Sequence, residues 1–328
     1  MLKLVIDMGT SVTKIYKKGG GVVLSEPSCV AINAETQKVE AVGTEAKRFA
    51  GRTDIASVVY PVFEGEVLNE KTAAAMLDAF LNKIGVKSRS RAEFLFSVPC
   101  GATEKAKAAL YEVCAELGIS RVAFAESPYL AALAHGVLTD DTPVFVMDIG
   151  AGTSDIAALS SDGAIAGLSV NVGGGNMDAH IADHIADAFG LKINAATSER
   201  LKNAAGSLLP GDEKNTVVNG RDEETDAPRS VTVSSVDILY PIQVYVDKIL
   251  EYATVLLKKL PMEVLESIRK NGVLLSGGIC EIAGMADYIG DKLCLPVRVF
   301  DAPQLAVAVG GGKALDDVAF LKKIKQDF

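Results

Sequence analysis

Two segments of the chain repeat the same order of apolar and polar positions. In residues 4–15 and 144–156, an apolar run ends at an aspartate, a glycine-containing turn with Thr and Ser follows, and a second apolar run leaves the turn. The two aspartates, Asp7 and Asp148, are 141 residues apart, which is close to half of the 328-residue chain. The repeat predicts a duplicated fold in which each half supplies one hairpin to a shared cleft.

Helical and strand patterns alternate between these hairpins. Apolar residues at helical spacing follow Asn69, Thr103 and Ser127, which we interpret as the N-caps of three helices. Short apolar runs at residues 93–98 and 122–125 predict strands between these helices. Strands that alternate with helices of this length indicate a largely parallel α/β sheet.

The second half repeats this alternation. A run of three glycines at residues 173–175 leads into a helix, and a long helix is predicted over about residues 235–260. The polar stretch 210–229 predicts a hairpin or a mobile loop at the tip of a lobe. Small residues over 306–312 predict close helix packing near the end of the sequence.

The composition is that of an ordinary folded protein. Hydrophobic residues make up 49% of the sequence and charged residues 23%, so general disorder is excluded. The chain has 33 Lys and Arg against 42 Asp and Glu, a net charge of −9. This balance argues against nucleic acid as a partner, because nucleic acid attracts clustered positive charge. A chain of this length is expected to form two lobes.

The sequence predicts a cytoplasmic protein. Its longest apolar runs are far shorter than the ~20 residues that a membrane-spanning helix needs. The first apolar run ends at Asp7, which is too early for a signal peptide. The five cysteines are an odd number, widely spaced and without a C-x-x-C pair, which argues against a disulfide framework and against a zinc site.

The two hairpin turns carry the residue types that bind phosphate. Gly9, Gly150 and Gly152 let backbone N–H groups surround an anion without a Cβ in the way. Lys14 follows the first turn and is placed to reach the β- and γ-phosphate oxygens as a point charge. Hydroxyl groups in the same turns add donors, namely Thr10, Ser11, Thr153 and Ser154.

An aspartate beside each turn implies a cation between the protein and a phosphate group. Asp7 and Asp148, with Asp155 nearby, would repel phosphate unless Mg²⁺ lay between them, held for the most part through water. The sequence has no G-x-x-x-x-G-K-[ST] loop and no G-x-G-x-x-G turn that opens a helix after a strand. A third element, the apolar run that ends at Gly277 and Gly278, is interpreted as a surface for adenine or ribose.

The order of these motifs resembles the actin-like ATPases, and within that superfamily the MreB branch. In chain order the matching motifs are D-x-G-T, V-P-x-G-x-T before a helix, a Pro-started Ala-rich helix, D-I-G-x-G-T-S-D, E-R-x-K-x-x-x-G and L-x-S-G-G. The resemblance covers essentially the whole chain. It implies a duplicated, ribonuclease H-like, two-lobed α/β fold with a nucleotide cleft between the lobes.

The resemblance also implies how the lobes are divided and what they do. Lobe I would have its core in residues 1–30, 65–140 and 305–328 and a small subdomain in residues 31–64. Lobe II would have its core in residues 141–178 and 242–304 and a small subdomain in residues 179–241. ATP and Mg²⁺ would lie in the cleft. Subunits would polymerise head to tail into protofilaments, which pair in some members of the superfamily.

Each motif carries functional positions over to this chain. The first phosphate loop would consist of Asp7, Gly9, Thr10, Ser11 and Lys14. The second would consist of Asp148, Gly150, Gly152, Thr153 and Asp155, with Gly174 in the glycine run after it. Glu199 and Lys202 match positions that contact ribose and adenine, and Gly277 and Gly278 match the adenosine turn. Asp7 and Asp148 would hold Mg²⁺ through water.

Two positions depart from the MreB pattern. That branch has a Glu directly before the proline of the Ala-rich helix, where it orients the attacking water; here the position is Ser127, and Glu126 lies one residue earlier. Serine is no base near neutral pH, so either Glu126 replaces the missing carboxylate or hydrolysis is slow. Ser127, Glu126 and Asp148 are the candidate catalytic residues. Lys14 is the second departure, because the branch usually has an apolar residue there, whereas actin has lysine.

Membrane contact is predicted to be weak. Lys87, Arg89 and Arg91 lie in a loop through which some MreB-like filaments bind membranes, but no aromatic residue or leucine accompanies them. Basic residues without an apolar partner anchor a protein weakly to an anionic membrane surface. The sequence therefore predicts a weak ATPase that forms cytoplasmic filaments for cell shape or intracellular positioning.

Two alternatives use the same fold. A sugar or acid kinase would need a carboxylate aimed at a substrate hydroxyl, and the sequence has no H-x-x-G-H signature of the zinc-containing sugar kinases. A chaperone-type ATPase would carry a peptide-binding domain, which we do not expect after Phe328. Fold analogy alone does not choose the cargo of a filament.

Overall fold

The computed structural model describes residues 1–50, 56–138 and 142–326, without the side chains of residues 318 and 320. The predicted lobe boundary at residues 140 and 141 lies outside the described residues, as do residues 327 and 328 of lobe I. No helix in the described part of the chain is long and apolar enough to cross a membrane.

The strands form where apolar and β-branched residues lie between turn residues. The predicted strands at residues 93–98 and 122–125 are confirmed as β9 and β10 of the following set. In chain order the strands are β1 (Leu2–Met8), β2 (Val12–Lys17), β3 (Gly21–Pro27), β4 (Val30–Asn33), β5 (Val39–Val42), β6 (Ala56–Val59), β7 (Val62–Phe63), β8 (Glu66–Val67), β9 (Ala92–Val98), β10 (Val122–Glu126), β11 (Val144–Ile149), β12 (Ser154–Ser160), β13 (Gly163–Val170), β14 (Leu191–Lys192), β15 (Asn215–Asp222), β16 (Pro228–Ser234), β17 (Val273–Ser276) and β18 (Val297–Val299).

The helices lie between these strands, largely as the apolar spacing predicts. In chain order they are α1 (Gly43–Lys47), α2 (Glu70–Lys83), α3 (Glu104–Glu116), α4 (Ser127–Ala134), α5 (Gly174–Phe189), α6 (Ala195–Ala205), α7 (Leu239–Lys259), α8 (Met262–Asn271), α9 (Met285–Leu293), α10 (Ala306–Asp316) and α11 (Val318–Ile324). The predicted long helix is confirmed as α7. The polar stretch 210–229 contributes to the β15–β16 hairpin, the first of its two predicted alternatives.

Two of the three predicted helix caps are confirmed. Asn69 Oδ1 accepts a hydrogen bond from Thr72 N at 2.9 Å, and Thr103 Oγ1 accepts one from Ala106 N at 3.1 Å. Each bond satisfies an N–H group of the first helical turn that has no partner within the helix.

The prediction that Ser127 caps α4 is wrong. The helix already begins at Ser127, and the preceding residue, Glu126, has the extended cap conformation. The Ser127 hydroxyl donates to the Val98 carbonyl oxygen at 3.2 Å, on the neighbouring strand β9, and so does not accept a bond from its own helix.

The two halves of the chain build two five-stranded sheets with the same order and directions in the described residues. One sheet runs β10-β9-β1-β2-β3 and the other runs β18-β17-β11-β12-β13. In each, the central strand pairs antiparallel with the next strand of the chain and parallel with a strand that returns later. The predicted duplication is therefore confirmed, and the turn after β1 is equivalent to the turn after β11. The prediction of a largely parallel sheet is wrong, because the hairpin strands make two of the four pairs in each sheet antiparallel.

Smaller sheets accompany the two main sheets. Their strand orders are β5-β4-β6 and β14-β15-β16, and β7 and β8 form a separate hairpin. The two three-stranded sheets lie in the segments predicted to form the small subdomains. The division of the chain into lobes at the stated residues stays a prediction.

The central strands bury both of their faces. Leu4 and Ile6 of β1 belong to the apolar core of the first half, whereas Val5 points to the opposite face of the sheet, as the two-residue period of a strand requires. Val5 packs in a cluster with Val146 of β11 and Leu130 of α4. This cluster also includes residues of α10, so α4 and α10 lie between the two sheets.

Glycines allow α10 to approach its neighbours closely, which confirms the close packing predicted for residues 306–312. A Cβ built on Gly310 would collide with the Leu130 carbonyl oxygen and lie 3.1 Å from Ala134 N, both on α4. A Cβ on Gly311 would lie 2.5 Å from a methyl carbon of Val5. The spacing between the two sheets therefore depends on the missing side chains at Gly310 and Gly311.

We expect Gly310→Ala to destabilise the protein, although the same change stabilises an ordinary exposed helix by about 1 kcal/mol. The added methyl group would push α10 away from the α4 backbone, and overpacking of this kind costs about 1–3 kcal/mol. Thermal unfolding measures the effect. The control is Gly20→Ala, where a Cβ would make only contacts of 3.5 Å or longer. A Gly310→Ala variant as stable as the control would contradict the described packing.

Candidate functional site

A cleft of about 780 Å³ opens where the two equivalent hairpin turns face each other. This volume lies within the range of about 300–1,000 Å³ that is typical of small-molecule sites. Most of the predicted site residues line it, namely Asp7, Gly9, Thr10, Ser11, Lys14, Ser127, Asp148, Gly150, Gly152, Thr153, Asp155, Glu199, Lys202, Gly277 and Gly278. Glu126, Gly174 and Ser154 are not among the lining residues, and the buried Ser154 hydroxyl, predicted as a donor to phosphate, donates instead to the Val172 carbonyl oxygen at 2.7 Å.

The first hairpin contains a neutralised acid. Asp7 on β1 lies directly opposite Lys14 on β2 in the strand register. Lys14 Nζ is 2.9 Å from Asp7 Oδ2, and Ser97 Oγ donates to Asp7 Oδ1 at 2.9 Å. Both carboxylate oxygens therefore have a partner, and the lysine offsets the charge.

The second hairpin has two acids at the equivalent positions. Asp148 on β11 lies opposite Asp155 on β12. Ser276 Oγ donates to Asp148 Oδ1 at 2.7 Å, and the backbone N–H of Cys100 donates to Asp155 Oδ1 at 2.7 Å. A serine hydroxyl and a backbone amide do not cancel two carboxylate charges, so this turn is acidic.

Burial changes the protonation of both carboxyl groups. It raises the pKa of Asp148 to about 6, and the repulsion from Asp7 adds to this effect while the Ser276 hydrogen bond opposes it. Burial also raises the pKa of Asp155 to about 7, with a further contribution from Asp148, against the bond from Cys100. The ionised forms of both groups are therefore less favourable than in an exposed aspartate, and positive charge brought to the site would stabilise them.

A glycine brings the two turns into contact. A Cβ built on Gly152 would collide with the Thr10 hydroxyl and would lie 3.0 Å from the backbone N of Glu64. Any side chain at residue 152 would therefore force the first turn away from the second. Because Gly152 has no Cβ, the two turns that are candidates for phosphate binding can lie together in one small site.

The opposite end of the cleft contains a buried lysine. Lys202 of α6 is 4% exposed, and its Nζ donates to the Gly174 carbonyl oxygen at 2.9 Å and lies 2.9 Å from Asp178 Oδ1. Gly174 itself does not line the cleft, but its carbonyl oxygen fixes the position of the Lys202 ammonium group. The double glycine lies at the same end, and Gly277 has a left-handed φ of +91°.

Glu199 links distant parts of the chain across the cleft. Its Oε1 accepts a hydrogen bond from Ser11 Oγ at 3.2 Å, and its Oε2 lies 2.6 Å from Lys47 Nζ. Ser11 belongs to the first turn, Lys47 to α1 and Glu199 to α6. The carboxylate therefore ties the first half of the chain to the second.

Ser127 and Glu126 have different surroundings. Ser127 lines the cleft, with its hydroxyl bonded to Val98. Glu126 Oε1 accepts hydrogen bonds from Gly101 N at 3.1 Å and from Gln326 Nε2 at 3.4 Å. Glu126 is therefore bonded to the Gly101 backbone and to the Gln326 side chain, and of the two residues only Ser127 lines the cleft.

Sequence reasoning missed several residues of the site. Cleft-lining residues without a predicted role include Lys47, Glu64, Ser97, Asn176 and Asp178. Asn176 is the one with a local reason for its position, because it lies in the first turn of α5 and its side chain accepts a bond from Gly173 N at 2.8 Å. The others reach the cleft through the folding of distant segments, for which the sequence shows no local pattern.

The residues present fit a magnesium–phosphate group. The described residues contain no cluster of three or more His, Cys, Asp or Glu side chains able to enclose a metal ion. Mg²⁺ often keeps several water ligands and is bound by one or two carboxylates together with phosphate oxygens. Asp148 and Asp155, whose charges are only partly compensated, lie beside the glycine turn at residues 150–152 and match that mode of binding.

Comparison with known proteins agrees with the motif order. The family model described as MreB/Mbl protein matches residues 1–323. The cell shape-determining protein MreB of Escherichia coli (strain K12) is 35% identical over 323 residues, covering 95% of this chain and 93% of the relative. The cell shape-determining protein Mbl of Bacillus subtilis (strain 168) is 32% identical over 324 residues, covering 98% and 97%.

Solved structures agree with the fold. MreB 5 of Spiroplasma citri bound to AMPPNP superimposes with a TM-score of 0.92 at 28% identity, covering 98% of this chain and 97% of that one. The MamK double helical filament superimposes with a TM-score of 0.81 at 20% identity, covering 96% and 98%, which is a likeness of fold alone. The chain therefore belongs to the MreB/Mbl family of cell shape-determining proteins and has the actin-like, two-lobed α/β fold that its motif order predicts.

Proposed function

We propose that this protein binds ATP with Mg²⁺ in the cleft and assembles into filaments in a nucleotide-dependent way. The observation that carries the proposal is the meeting of two equivalent glycine turns, one neutralised and one acidic, at a single small cleft. The likeness to MreB 5 bound to AMPPNP supports a nucleotide ligand. MamK, solved as a double helical filament, supports polymerisation of this fold.

The phosphate groups of the nucleotide would bind at one end of the cleft, and its ribose and adenine at the other. The backbone N–H groups around Gly9 and Gly150, with Lys14, would hold the phosphate oxygens. Asp7 and Asp148 would hold Mg²⁺ through water, and the ion when bound would neutralise phosphate charge. Glu199 and Lys202 would contact ribose and adenine, beside the double glycine at 277 and 278.

Lobe closure would couple nucleotide binding to assembly. A nucleotide that contacts both turns favours the conformation in which they are close, and a ligand stabilises the state that it binds better. Glu199 already joins Ser11 to Lys47 in this closed arrangement. Hydrolysis, with Ser127 at the cleft wall, would loosen this closed state and the subunit contacts that depend on it.

Membrane contact would be a minor addition to self-assembly. Of the three basic residues predicted to face a membrane, Arg89 is paired with Asp78 and donates to Asn82 Oδ1 at 3.1 Å. Lys87 and Arg91 would then supply most of the attraction to an anionic surface, about 1 kcal/mol each. Cytoplasmic localisation stays a prediction.

Family membership favours the cytoskeletal function over the kinase alternative. The curated relatives match over nearly their whole length and are cell shape-determining proteins. Electron microscopy with and without ATP tests the proposal, together with an assay for phosphate transfer to sugars. ATP-dependent filaments are expected, whereas phosphate transfer without filaments would favour the kinase.

We expect Asp148→Ala to abolish ATP-dependent sedimentation while the chain stays folded. The substitution removes a carboxylate that would hold Mg²⁺ and whose pKa burial raises to about 6 in the free protein. Sedimentation and calorimetric titration with Mg-ATP measure the effect. The control is Glu116→Ala, which removes an exposed charge at the end of α3. Unchanged assembly of the Asp148→Ala variant would count against the proposed metal site.

We expect the free protein to lose stability as pH rises from 6.5 to 8. The pKa of Asp155 is raised to about 7 from 3.8, so the folded state binds more protons than the unfolded state in this range. Stability then falls with pH, by at most about 1.4 kcal/mol per pH unit for one group, until the group is ionised in both states. His135, with its pKa lowered to about 4 by burial, acts in the opposite direction, but mainly below pH 6.5.

Urea unfolding at several pH values, without Mg²⁺ and nucleotide, measures this slope. The Asp155→Asn variant should show a smaller slope, because it has no proton to lose at that position. Equal slopes for the two proteins would show that Asp155 is not the group responsible.

A further inference from the structure

One acidic side chain at the phosphate end of the cleft has no role in the contacts described above. Glu64 lies at the tip of the β7–β8 hairpin and lines the cleft. Its backbone N would be 3.0 Å from a Cβ on Gly152, so the hairpin tip lies against the second phosphate turn. Gly65, the next residue, packs so tightly on the Pro99 ring that a Cβ there would collide with it.

The same packing places Glu64 near the start of α4. Pro99 follows Val98, whose carbonyl oxygen accepts the hydrogen bond from Ser127 Oγ. The hairpin tip therefore contacts the second phosphate turn on one side and the strand end that holds Ser127 on the other. This is the part of the cleft where the terminal phosphate of a bound nucleotide would meet water.

The other carboxylates at this end already have partners. Asp7 is paired with Lys14, Asp148 accepts a bond from Ser276, and Asp155 accepts one from Cys100 N. In the part of the chain that the structure describes, Glu64 has neither a hydrogen bond nor an ion pair, and Glu281, also without one, lies beside the double glycine at the nucleoside end. Asp148 and Asp155 each have one oxygen bonded in this way, whereas both carboxylate oxygens of Glu64 are available to accept a bond from water.

The backbone at Glu64 is unusual for this residue type. Its φ of +49° is in the left-handed region, and Gly65 follows with a φ of +77°. Two consecutive left-handed residues between paired strands form the hairpin turn that favours Asn-Gly or Asp-Gly. A longer glutamate tolerates the conformation less well, and strained residues of this kind cluster at functional sites.

We propose that Glu64 orients the attacking water in ATP hydrolysis, an inference that rests on the nucleotide function proposed above. Glu64 accepts a hydrogen bond from the water, whose oxygen bonds to the γ-phosphorus while the bond to the β–γ bridging oxygen breaks. The electron pair of that bond leaves with ADP, and the water proton passes through Glu64 to solvent. Ser127, uncharged and bonded to Val98, shapes the same wall without acting as the base.

The test compares Glu64→Gln with Glu66→Gln, a matched change at an exposed residue of the same hairpin. Phosphate release with saturating Mg-ATP and nucleotide affinity are measured separately. Removal of the carboxylate should lower turnover about a hundredfold or more, the range typical of general base catalysis, and leave ATP affinity unchanged. Glu66→Gln should change neither quantity.

A second variant separates chemistry from structure. Glu64→Gly also removes the carboxylate but suits the left-handed backbone, so its melting temperature should equal or exceed that of the parent chain while turnover falls as in Glu64→Gln. Turnover that stays unchanged in both variants would overturn the inference. A loss of ATP affinity parallel to the loss of turnover would also overturn it, because Glu64 would then act in binding.

The parent chain distinguishes failure of this inference from failure of the proposed function. Binding of Mg-ATP without any hydrolysis would overturn the role of Glu64 and leave the nucleotide site intact. Absence of Mg-ATP binding to the folded chain would overturn both.

Discussion

The contact between two duplicated turns is the constraint on which the rest of the structure depends. Gly152 of the second turn lies against Thr10 of the first, so closely that a side chain at residue 152 would separate them. The sheets behind these turns are held apart by α4 and α10, whose own spacing depends on Gly310. Gly152 at the cleft and Gly310 at its base, two residues without a Cβ, therefore set the width of the cleft.

Duplication supplied two equivalent hairpins, and their charges then diverged. The position opposite the strand aspartate is Lys14 in the first hairpin and Asp155 in the second. The first turn is therefore balanced, whereas the second contains two buried acids whose ionisation burial opposes. In the proposed function, a bound Mg²⁺ would supply the positive charge that the second turn lacks, because no lysine lies opposite Asp148. This asymmetry explains how one ligand can hold two similar turns in one orientation.

Local sequence patterns were sufficient for the duplication, both hairpins, the caps at Asn69 and Thr103 and the close packing of α10. Each of these features depends on residues that are neighbours in the sequence or repeat at a fixed period. The Ser127 cap failed because the helix begins one residue earlier than its proline indicates, so that Glu126 has the cap conformation and Ser127 is already helical. Lys47 was missed because its partner Glu199 is 152 residues away.

Two of the contacts that span the cleft come from neighbouring parts of the chain. At the nucleoside end α1 reaches α6 through Lys47 and Glu199, and at the phosphate end the β7–β8 hairpin reaches the second turn through the backbone of Glu64. Both α1 and this hairpin precede α2, so one region of the first half contacts the second half at both ends of the cleft. Opening of the cleft would withdraw Glu64 from the phosphate turn and break the Lys47 pair together. Hydrolysis would then depend on the same closed state that favours assembly, because the water-orienting carboxylate is in place only when the halves are joined.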